Sequence, residues 1–311
     1  MAIKRLRIGT RGSKLARWQA DWVRSRLEEA YPDLPVELMA IKTSGDKILD
    51  VPLAKIGGKG LFVKEIENAL LDGRVDLAVH SMKDVPAAIP PDLEISCVTR
   101  REDPFDALVS RSGKGLADLV SRARIGTGSL RRQAQLLHYR PDLMMVSIRG
   151  NLDTRLRKLE DQNLDALVVA SAGLRRMGLD HRRTERISDE ICLPAIGQGA
   201  LAIETNVGNQ DVREAIAFLN DPETAVTVRA ERAFLRRLEG GCQVPIAAYA
   251  QLIRDTLQIE GMVASVDGRR MVRDRLHGSH GEGEALGIQL AERILSSGGD
   301  LILREIYGQD P

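Results

Sequence analysis

The chain has little of the material from which several protein classes are built. Aromatic residues make up only 3% of its 311 residues, and its 45 basic residues are nearly balanced by 44 acidic ones. Because nucleic-acid-binding proteins usually carry a clear basic excess and aromatic side chains for base stacking, this composition disfavours a nucleic-acid partner. No apolar run approaches the roughly 20 residues of a membrane span, so no membrane partner is expected.

Cysteine is equally scarce. Cys97, Cys192 and Cys242 lie far apart, so they predict neither a disulfide framework nor a CxxC metal site, and the five histidines include no HExxH motif. The first ten residues, MAIKRLRIGT, lack the apolar stretch of a signal peptide. We therefore expect a cytoplasmic protein without a metal and, since no association patch is evident, a monomer.

A short motif occurs twice in the chain. Residues 7–13 read RIGTRGS and residues 124–129 read RIGTGS, and each joins a predicted strand to a predicted helix. A second pair follows in the same order, VDLAVHS at 75–81 and LDALVVAS at 164–171, each a buried strand pattern ending in Ser. These paired matches predict two related α/β lobes with mostly parallel sheets. Since open α/β sheets bind ligands at the carboxyl ends of their strands, we expect a ligand-binding cleft between the lobes.

The residues after 220 follow a different pattern. Asp221 and Pro222 suit the N-cap and first residue of a helix that stops at Gly240. Three alternating strand patterns follow, with a hairpin at 266–269, and then a final helix at 284–297. The predicted domains are a first α/β domain at 1–99 and 200–217, a second α/β domain at 104–195, and a small C-terminal α+β domain at 221–311.

Arginine residues gather at the predicted strand ends. Ser129 is a natural N-cap, and Arg131 and Arg132 follow it at the positive end of a helix. The other arginines in such turns are Arg11, Arg149, Arg155, Arg175 and Arg176. Guanidinium groups gathered in this way suit several carboxylates or phosphates, each held bidentately. The alternative is that the arginines are solvated residues at helix starts.

Lys83 and Asp84 follow the VDLAV strand, in HSMKDVP at 80–86. A carboxylate among so many cations is expected to stay ionised and to stabilise a developing positive charge. The alternative is a Lys-Asp pair that caps a turn. His80 is interpreted as a structural histidine.

Two glycine-rich stretches carry further candidates. AKIGGKGLF at 54–62 lacks the GxxxxGK[ST] spacing of a P-loop, so Lys55 and Lys59 indicate either a basic lid over an anionic ligand or a plain surface loop. LEGGCQVPI at 238–246 places Cys242 between a flexible Gly-Gly pair and a rigid Val-Pro. Such a thiol is displayed rather than packed in a core.

These stretches together resemble one family, porphobilinogen deaminase, also called hydroxymethylbilane synthase. The similarity covers nearly the whole chain and rests on IGTRGSKLARWQ, TSGDKILDVPLAKIGGKGLFVKEIE, DLAVHSMKDVP, REDPFDAL, GTGSLRRQAQL, IRGNLDTRL, ASAGLRRMGL, LPAIGQGALAIE and LEGGCQVPIAA. Only the part after about residue 250 carries little family pattern. The resemblance implies two periplasmic-binding-protein-like α/β lobes around a cleft, with a small C-terminal α+β domain.

The resemblance also implies the chemistry and the residues that perform it. A dipyrromethane cofactor is joined to Cys242 through a thioether and primes the head-to-tail addition of four porphobilinogens, each losing ammonia, before water releases hydroxymethylbilane. Asp84 is matched to the family's catalytic aspartate. The implied cofactor-binding residues are Lys83, Thr127, Ser129, Arg131 and Arg132. The implied substrate-binding residues are Arg11, Ser13, Lys55, Lys59, Arg149, Arg155 and Arg176.

Two other protein classes share parts of this pattern. A solute-binding protein or a ligand-sensing regulator domain also has two α/β lobes around an anion site, but it needs neither Cys242 nor Asp84. The intact mass of the purified protein separates these hypotheses, because a covalent dipyrromethane adds mass to the chain.

Overall fold

The computed structural model describes residues 3–47, 63–239 and 244–308. Lys55, Lys59 and Cys242 lie outside the described residues. The chain divides into two compact units. The first holds the described residues up to Glu102 together with Gly199–Ala225, and the second holds Asp103–Gln198 and the described residues from Val226 onward. The three-domain division stays a prediction.

The two units contain short strands and mostly short helices. The strands are β1 (Leu6–Arg11), β2 (Val36–Ile41), β3 (Leu77–Ser81), β4 (Leu93–Val98), β5 (Asp106–Ser110), β6 (Arg124–Gly126), β7 (Met144–Val146), β8 (Ala166–Ala170), β9 (Glu185–Arg186), β10 (Leu201–Asn206), β11 (Ile246–Ile253), β12 (Thr256–Ala264) and β13 (Met271–Ser279). The helices are α1 (Lys14–Ala30), α2 (Ser44–Lys47), α3 (Lys64–Leu71), α4 (Leu130–Tyr139), α5 (Leu152–Asp161), α6 (Ser171–Arg176), α7 (Gln210–Ile216), α8 (Pro222–Arg237), α9 (Gly283–Ile294) and α10 (Asp300–Tyr307). None of the helices in the described residues is long and apolar enough to cross a membrane.

Side-chain caps start the helices that matter most for the site. The hydroxyl of Ser13 accepts a hydrogen bond at the start of α1, and that of Ser129 does so at the start of α4. The carboxylate of Asp221 accepts from the amide of Thr224 at 2.8 Å. Each cap satisfies an amide that a helix start would otherwise leave unpaired. The N-caps predicted at Ser129 and Asp221 are confirmed.

The two α/β sheets have the same strand order. The first sheet is ordered β2-β1-β3-β10-β4, and the second is ordered β7-β6-β8-β5-β9. In each sheet the fourth strand of this order, β10 or β5, runs antiparallel to its two neighbours, while the pairs among the first three strands are parallel. Four of the five strands in each sheet therefore share one direction, which confirms the prediction of two related, mostly parallel α/β lobes.

Equivalent side chains tie the two sheets in the same way. The amide of Arg7 donates to the carboxylate of Asp76 at 2.7 Å, and the amide of Arg124 donates to Asp165 at the same distance. In return, the carbonyls of both arginines accept from the amides of these two aspartates. The repeated sequence motif therefore corresponds to a repeated structure.

The strand register refines the correspondence between the two motifs. Leu201 pairs with Ser81 in the first sheet, as Asp106 pairs with Ala170 in the second. Ser81 therefore corresponds to Ala170, and the serines that end the two motifs are offset by one residue, since Ser171 already begins α6. This register also assigns Leu201 and Asp106 to one structural position.

The last strands form the antiparallel sheet β11-β12-β13, which the sequence predicted. Its β12–β13 hairpin is docked on α4. The side chain of His138 and the carbonyl of Gly268 lie 2.9 Å apart, and the side-chain amide of Gln133 donates to the carbonyl of Val266 at 3.3 Å. Gly268 has a φ of +71°, and a Cβ there would lie 2.4 Å from the carbonyl of Ala134. Only glycine fits at this contact, so the hairpin fixes the helix that Ser129 begins.

Candidate active site

Asp84 stands on a 3₁₀ turn, Met82–Asp84, directly after β3. Met82 anchors this turn because its side chain is buried and its amide donates to the carbonyl of Ala200 at 3.1 Å. Asp84 is half-buried. Among the described residues, no hydrogen bond or ion pair engages its carboxylate. The turn thus presents an uncommitted carboxylate at the carboxyl end of a strand.

Buried polar contacts support the end of β3. His80 Nε2 lies 3.0 Å from Glu204 Oε2, and both side chains are almost fully buried. Ser81 is hydrogen-bonded by the side chain of Gln19 at 2.9 Å. His80 therefore has a structural role, as the sequence indicated. It stabilises β3, the strand that leads into the turn with Lys83 and Asp84.

The end of β1 contributes Arg11 and Ser13 to the same unit. The hydroxyl of Ser13 accepts from the amide of Ala16 at 3.2 Å. Thr10, which precedes Arg11, is buried and donates to the carbonyl of Ala16 at 3.1 Å. These bonds fix the β1–α1 turn, and Arg11 remains half-buried beside it.

The equivalent β6–α4 turn in the second unit is built in the same way. The hydroxyl of Thr127, a buried residue, accepts from the amide of Ser129 at 3.2 Å. The hydroxyl of Ser129 accepts from the amide of Arg132. The predicted cofactor-binding hydroxyls therefore lie together, one at the strand end and one at the helix start.

Arg131 and Arg132, called the arginine pair below, are buried rather than solvated. Arg131 Nη2 lies 2.8 Å from Asp106 Oδ2, and Arg132 Nη2 lies 2.7 Å from Asp106 Oδ1. Arg131 also donates to the carbonyl of Leu193 at 2.5 Å, and Arg132 donates to that of Val168 at 3.0 Å. One carboxylate therefore bridges two neighbouring guanidinium groups.

The electrostatics of this cluster favour its charged form. Burial alone would raise the pKa of Asp106, but Arg131, Arg132 and the hydrogen bond from Gln198 lower that pKa well below its usual range. Burial lowers the pKa of Arg131, and Asp106 more than restores it. Burial raises the pKa of the neighbouring Cys192 thiol to about 12, so this thiol is neutral. Two positive charges thus face one negative charge.

Two almost fully buried residues of the second unit each have a polar side-chain atom without a hydrogen-bond partner within the described chain. These atoms are Arg132 Nε and Ser171 Oγ. An unpaired buried donor costs free energy unless a ligand or water satisfies it. Together with the excess positive charge, these atoms indicate a site for an anionic, hydrogen-bonding ligand.

The remaining predicted arginines lie at other turns of the second unit. Arg155 lies in α5 and donates from Nε to the carbonyl of Gly150 at 2.7 Å. The carbonyl of Arg149 accepts from Lys158 at 3.0 Å. Arg176 ends α6 and is half-buried. Arg175, its exposed neighbour, lies 3.7 Å from Asp103, so it belongs to a separate surface cluster.

The structure thus brings together two groups of predicted residues, each within one unit. Arg11, Ser13, Lys83 and Asp84 lie at the strand ends of the first sheet, and Thr127, Ser129 and the arginine pair lie at those of the second. The sequence reasoning missed Asp106 and Gln198. The motif REDPFDAL contained Asp106, but Arg132 lies 26 residues away from it and Gln198 lies 92 residues away, so no local pattern could reveal these contacts. Within residues 3–47, 63–239 and 244–308, no group of His, Cys, Asp and Glu side chains could hold a metal ion.

Distant structural likenesses exist among solute-binding proteins. The methionine-binding protein MetQ matches 71% of this chain and 92% of its own, with 15% identity and a TM-score of 0.46. The periplasmic aliphatic sulphonate binding protein SsuA from Escherichia coli matches 76% of this chain and 71% of its own, with 16% identity and a TM-score of 0.41.

Sequence comparison gives much closer relatives. A protein of Geobacter metallireducens named porphobilinogen deaminase is 59% identical over 310 residues, covering 100% of this chain and 97% of the relative. One of Pelobacter propionicus with the same name is 57% identical and covers 100% of both chains. The model of the porphobilinogen deaminase dipyromethane cofactor binding domain matches residues 6–214, and that of the family's C-terminal domain matches residues 225–296. With both domain models matched and full-length relatives at this identity, the chain belongs to the porphobilinogen deaminase family.

Proposed function

We propose that this chain joins four porphobilinogens head to tail on a covalent dipyrromethane primer and then releases hydroxymethylbilane, with Asp84 as its catalytic residue. The observation that carries the proposal is the carboxylate of Asp84, half-buried on an anchored turn and uncommitted among the described residues. Each addition forms one carbon–carbon bond and releases one ammonia. The last step consumes one water.

The chemistry of the donors in the second unit fits the primer. Each pyrrole of a dipyrromethane bears an acetate and a propionate, so the group is anionic and also presents polar ring N–H groups. The arginine pair carries one positive charge more than Asp106 neutralises, and Arg132 Nε lacks a partner within the described chain. We assign the arginine pair, with Thr127, Ser129 and Lys83, to the carboxylates of the primer.

Cys242 is the attachment residue in this proposal. It lies outside the described residues, but the other two cysteines support the assignment because Cys97 and Cys192 are buried in hydrophobic cores. Their exposures of 1% and 0% leave neither thiol accessible to a ligand. When bound, the primer supplies a free pyrrole carbon to which the first porphobilinogen is joined.

Asp84 acts on the positive charge that the reaction creates. Loss of ammonia leaves a porphobilinogen unit with positive charge spread over its ring. A fixed carboxylate stabilises such a cation and accepts a hydrogen bond from a pyrrole N–H. Because Met82 anchors the turn, the carboxylate need not reorganise as this charge develops. Asp84 is also placed to hold the proton that the departing amine requires.

The remaining residues bind the carboxylates of incoming units. These residues are Arg11, Ser13, Arg149, Arg155 and Arg176, with Lys55 and Lys59 outside the described residues. Arg155 is held by the carbonyl of Gly150, which accepts from its Nε at 2.7 Å. The monomeric state and the cytoplasmic setting are also part of the proposal, as expected from the sequence.

Intact-mass measurement of Cys242→Ser tests the attachment. We expect the wild-type chain to carry the mass of one dipyrromethane and the variant to show the bare chain. A matched Cys97→Ser variant should keep the added mass, because Cys97 is a core thiol. An adduct that persists in Cys242→Ser, on Cys97 or Cys192, would refute the assignment.

A further inference from the structure

The arginine pair lies where the two related sheets agree in backbone but differ in side-chain chemistry. The amide of Thr99 donates to the carbonyl of Leu201 at 3.1 Å in the first sheet. The amide of Ile187 donates to the carbonyl of Asp106 at 2.9 Å in the second. With the strand register, these bonds assign Asp106 to the position that Leu201 fills in the first sheet.

The helices that follow the repeated motif differ at the matching positions. Counted from the N-caps Ser13 and Ser129, the second and third helical residues are apolar in α1 and cationic in α4: Leu15 and Ala16 against Arg131 and Arg132. At these three positions the first unit has the apolar residues Leu15, Ala16 and Leu201, and the second unit has two arginines and an aspartate. Ala16 and Leu201 are buried, as are all three charged residues.

The common backbone therefore does not require the buried charges. The first sheet forms the same strand order without them, and apolar residues at these positions avoid the cost of removing three charges from water. The second unit has Asp106 together with the two arginines, whereas the first unit has neither an aspartate nor arginines at the corresponding positions. Its place in the chain is explained by the arginine pair rather than by the fold.

We propose that Asp106 is a positioning residue, which aligns the two guanidinium groups of the arginine pair and leaves one of their two charges for a carboxylate of the pyrrole ligand. The inference rests on the proposed function of the arginine pair and adds to it the residue that sets its geometry. Without Asp106, two adjacent like charges would repel each other in a buried site.

The contacts show how one carboxylate fixes both arginines. Each oxygen of Asp106 accepts from one arginine, at 2.8 Å and 2.7 Å. The other terminal nitrogens are held by backbone carbonyls, those of Leu193 and Val168. Gln198 donates to Asp106 Oδ1 at 2.9 Å and so fixes the carboxylate itself. Both guanidinium planes are therefore set from two sides, while Arg132 Nε stays unpaired within the described chain.

The first test measures stability in two backgrounds. Asp106→Leu copies the first sheet and should lower the thermal unfolding midpoint of the otherwise wild-type chain. In a chain that also carries Arg131→Leu and Arg132→Ala, the same substitution should raise the midpoint, because it then removes a buried carboxylate that has lost both of its cationic partners. If Asp106→Leu lowers the midpoint in the double-arginine background as well, Asp106 serves the fold and the proposal is wrong. This comparison stands even where the single variant does not fold.

The second test measures primer assembly. Chains expressed without a supply of porphobilinogen are incubated with porphobilinogen, and the added mass is followed against its concentration. Asp106→Glu keeps the charge but moves it by one methylene, so the half-saturating concentration should rise roughly tenfold or more, the scale of one hydrogen bond to a charged group. Asp106→Asn should raise it further. Assembly at the wild-type concentration in both variants would overturn the positioning role.

Glu260 provides a matched control, because this nearly buried carboxylate also pairs with two arginines, Arg273 and Arg275, but lies in the β11-β12-β13 sheet. Glu260→Gln should lower the unfolding midpoint and leave the half-saturating concentration unchanged. A rise equal to that of Asp106→Glu would show that any lost buried carboxylate has this effect, and would contradict the proposal.

The chain with all three substitutions separates this proposal from the proposed function. It should fold but fail to assemble the primer at concentrations that suffice for the wild type. Assembly at the wild-type concentration would show that the arginine pair does not seat the primer, in which case the assignment of the arginine pair fails and Asp106 has nothing to position. By contrast, wild-type assembly in Asp106→Glu and Asp106→Asn alone leaves the arginine assignment intact and removes only the role of Asp106.

Discussion

Replacement of Asp84 by Asn separates the charge of this residue from its shape. The substitution keeps the side-chain volume and some hydrogen bonding, but it removes the negative charge that would stabilise a pyrrolic cation. The 3₁₀ turn is held by Met82, whose side chain is buried and whose amide binds the carbonyl of Ala200. Because the carboxylate of Asp84 makes no ion pair or hydrogen bond within the described residues, the turn should survive the change.

The structure therefore assigns different magnitudes to stability and to rate. A half-buried residue without a partner contributes little to folding, so the free energy of unfolding should change by less than about 1 kcal/mol. Loss of a preorganised electrostatic group typically costs a factor of about 100 to 1,000 in rate, or roughly 3 to 4 kcal/mol in the activation free energy. Asp84→Glu keeps the charge and should retain more activity than Asp84→Asn.

The assay is single-turnover addition of porphobilinogen, with urea unfolding measured on the same samples. We expect wild type to be fastest, Asp84→Glu slower and Asp84→Asn slowest, with all three chains equally stable and loaded with primer. If Asp84→Asn turned over as fast as wild type, Asp84 would be a cap of its turn and the mechanism wrong. A large loss of stability in Asp84→Asn would contradict the interpretation that Met82, and not Asp84, holds the turn.

Two further predictions concern packing and pH. Gly268→Ala places a Cβ 2.4 Å from the carbonyl of Ala134 at a φ of +71°, so it should lower the free energy of unfolding by about 2 to 5 kcal/mol. Gly113 has a similar φ but open space around it, so Gly113→Ala should lower the free energy of unfolding less in the same denaturant titration. Burial raises the pKa of the Cys97 and Cys192 thiols to about 12, so their contribution to stability is full below about pH 9 and is lost as the pH rises toward 12. Between about pH 8 and pH 10, the free energy of unfolding should therefore fall by about 1 to 2 kcal/mol less in Cys97→Ala than in the wild type. An equal fall in the two chains would contradict the raised pKa of Cys97.

The repeated architecture could be predicted because its signals are local. A glycine-rich turn after a strand and a Ser that caps the next helix lie within a few residues of each other, at Ser13 and again at Ser129. Buried parallel strands read as short apolar runs, which the chain shows twice in one order. These signals predicted two related, mostly parallel sheets, and the structure adds their matched strand order.

Tertiary ion pairs could not be predicted in the same way. The sequence indicated that Arg131 and Arg132 gather at a helix start, but it did not show that both are buried against Asp106. It also matched the serines of the two strand motifs, whereas the register offsets them by one residue. Such facts depend on how strands align across the sheet, and similar apolar runs fit more than one register.

In the C-terminal region, too, the local elements could be predicted and the distant contacts could not. The alternating patterns gave the strands β11, β12 and β13, and the Asp-Gly pair gave the hairpin. The sequence did not reveal that Gly268 in this hairpin contacts α4, because the contact joins segments about 130 residues apart. The sequence also missed α10, because the final helix was predicted to end at residue 297, whereas the chain kinks at Gly298 and continues as a helix from Asp300.

The central claim is that this chain extends a covalent primer one porphobilinogen at a time. Its most direct test is the intact mass of the purified protein before and after brief mixing with porphobilinogen. We expect a starting mass above that of the bare chain by one dipyrromethane, and then a ladder of up to four additions, each equal to one porphobilinogen minus ammonia. A single mass equal to that of the sequence, unchanged by porphobilinogen, would contradict the account and favour a protein that only binds its ligand.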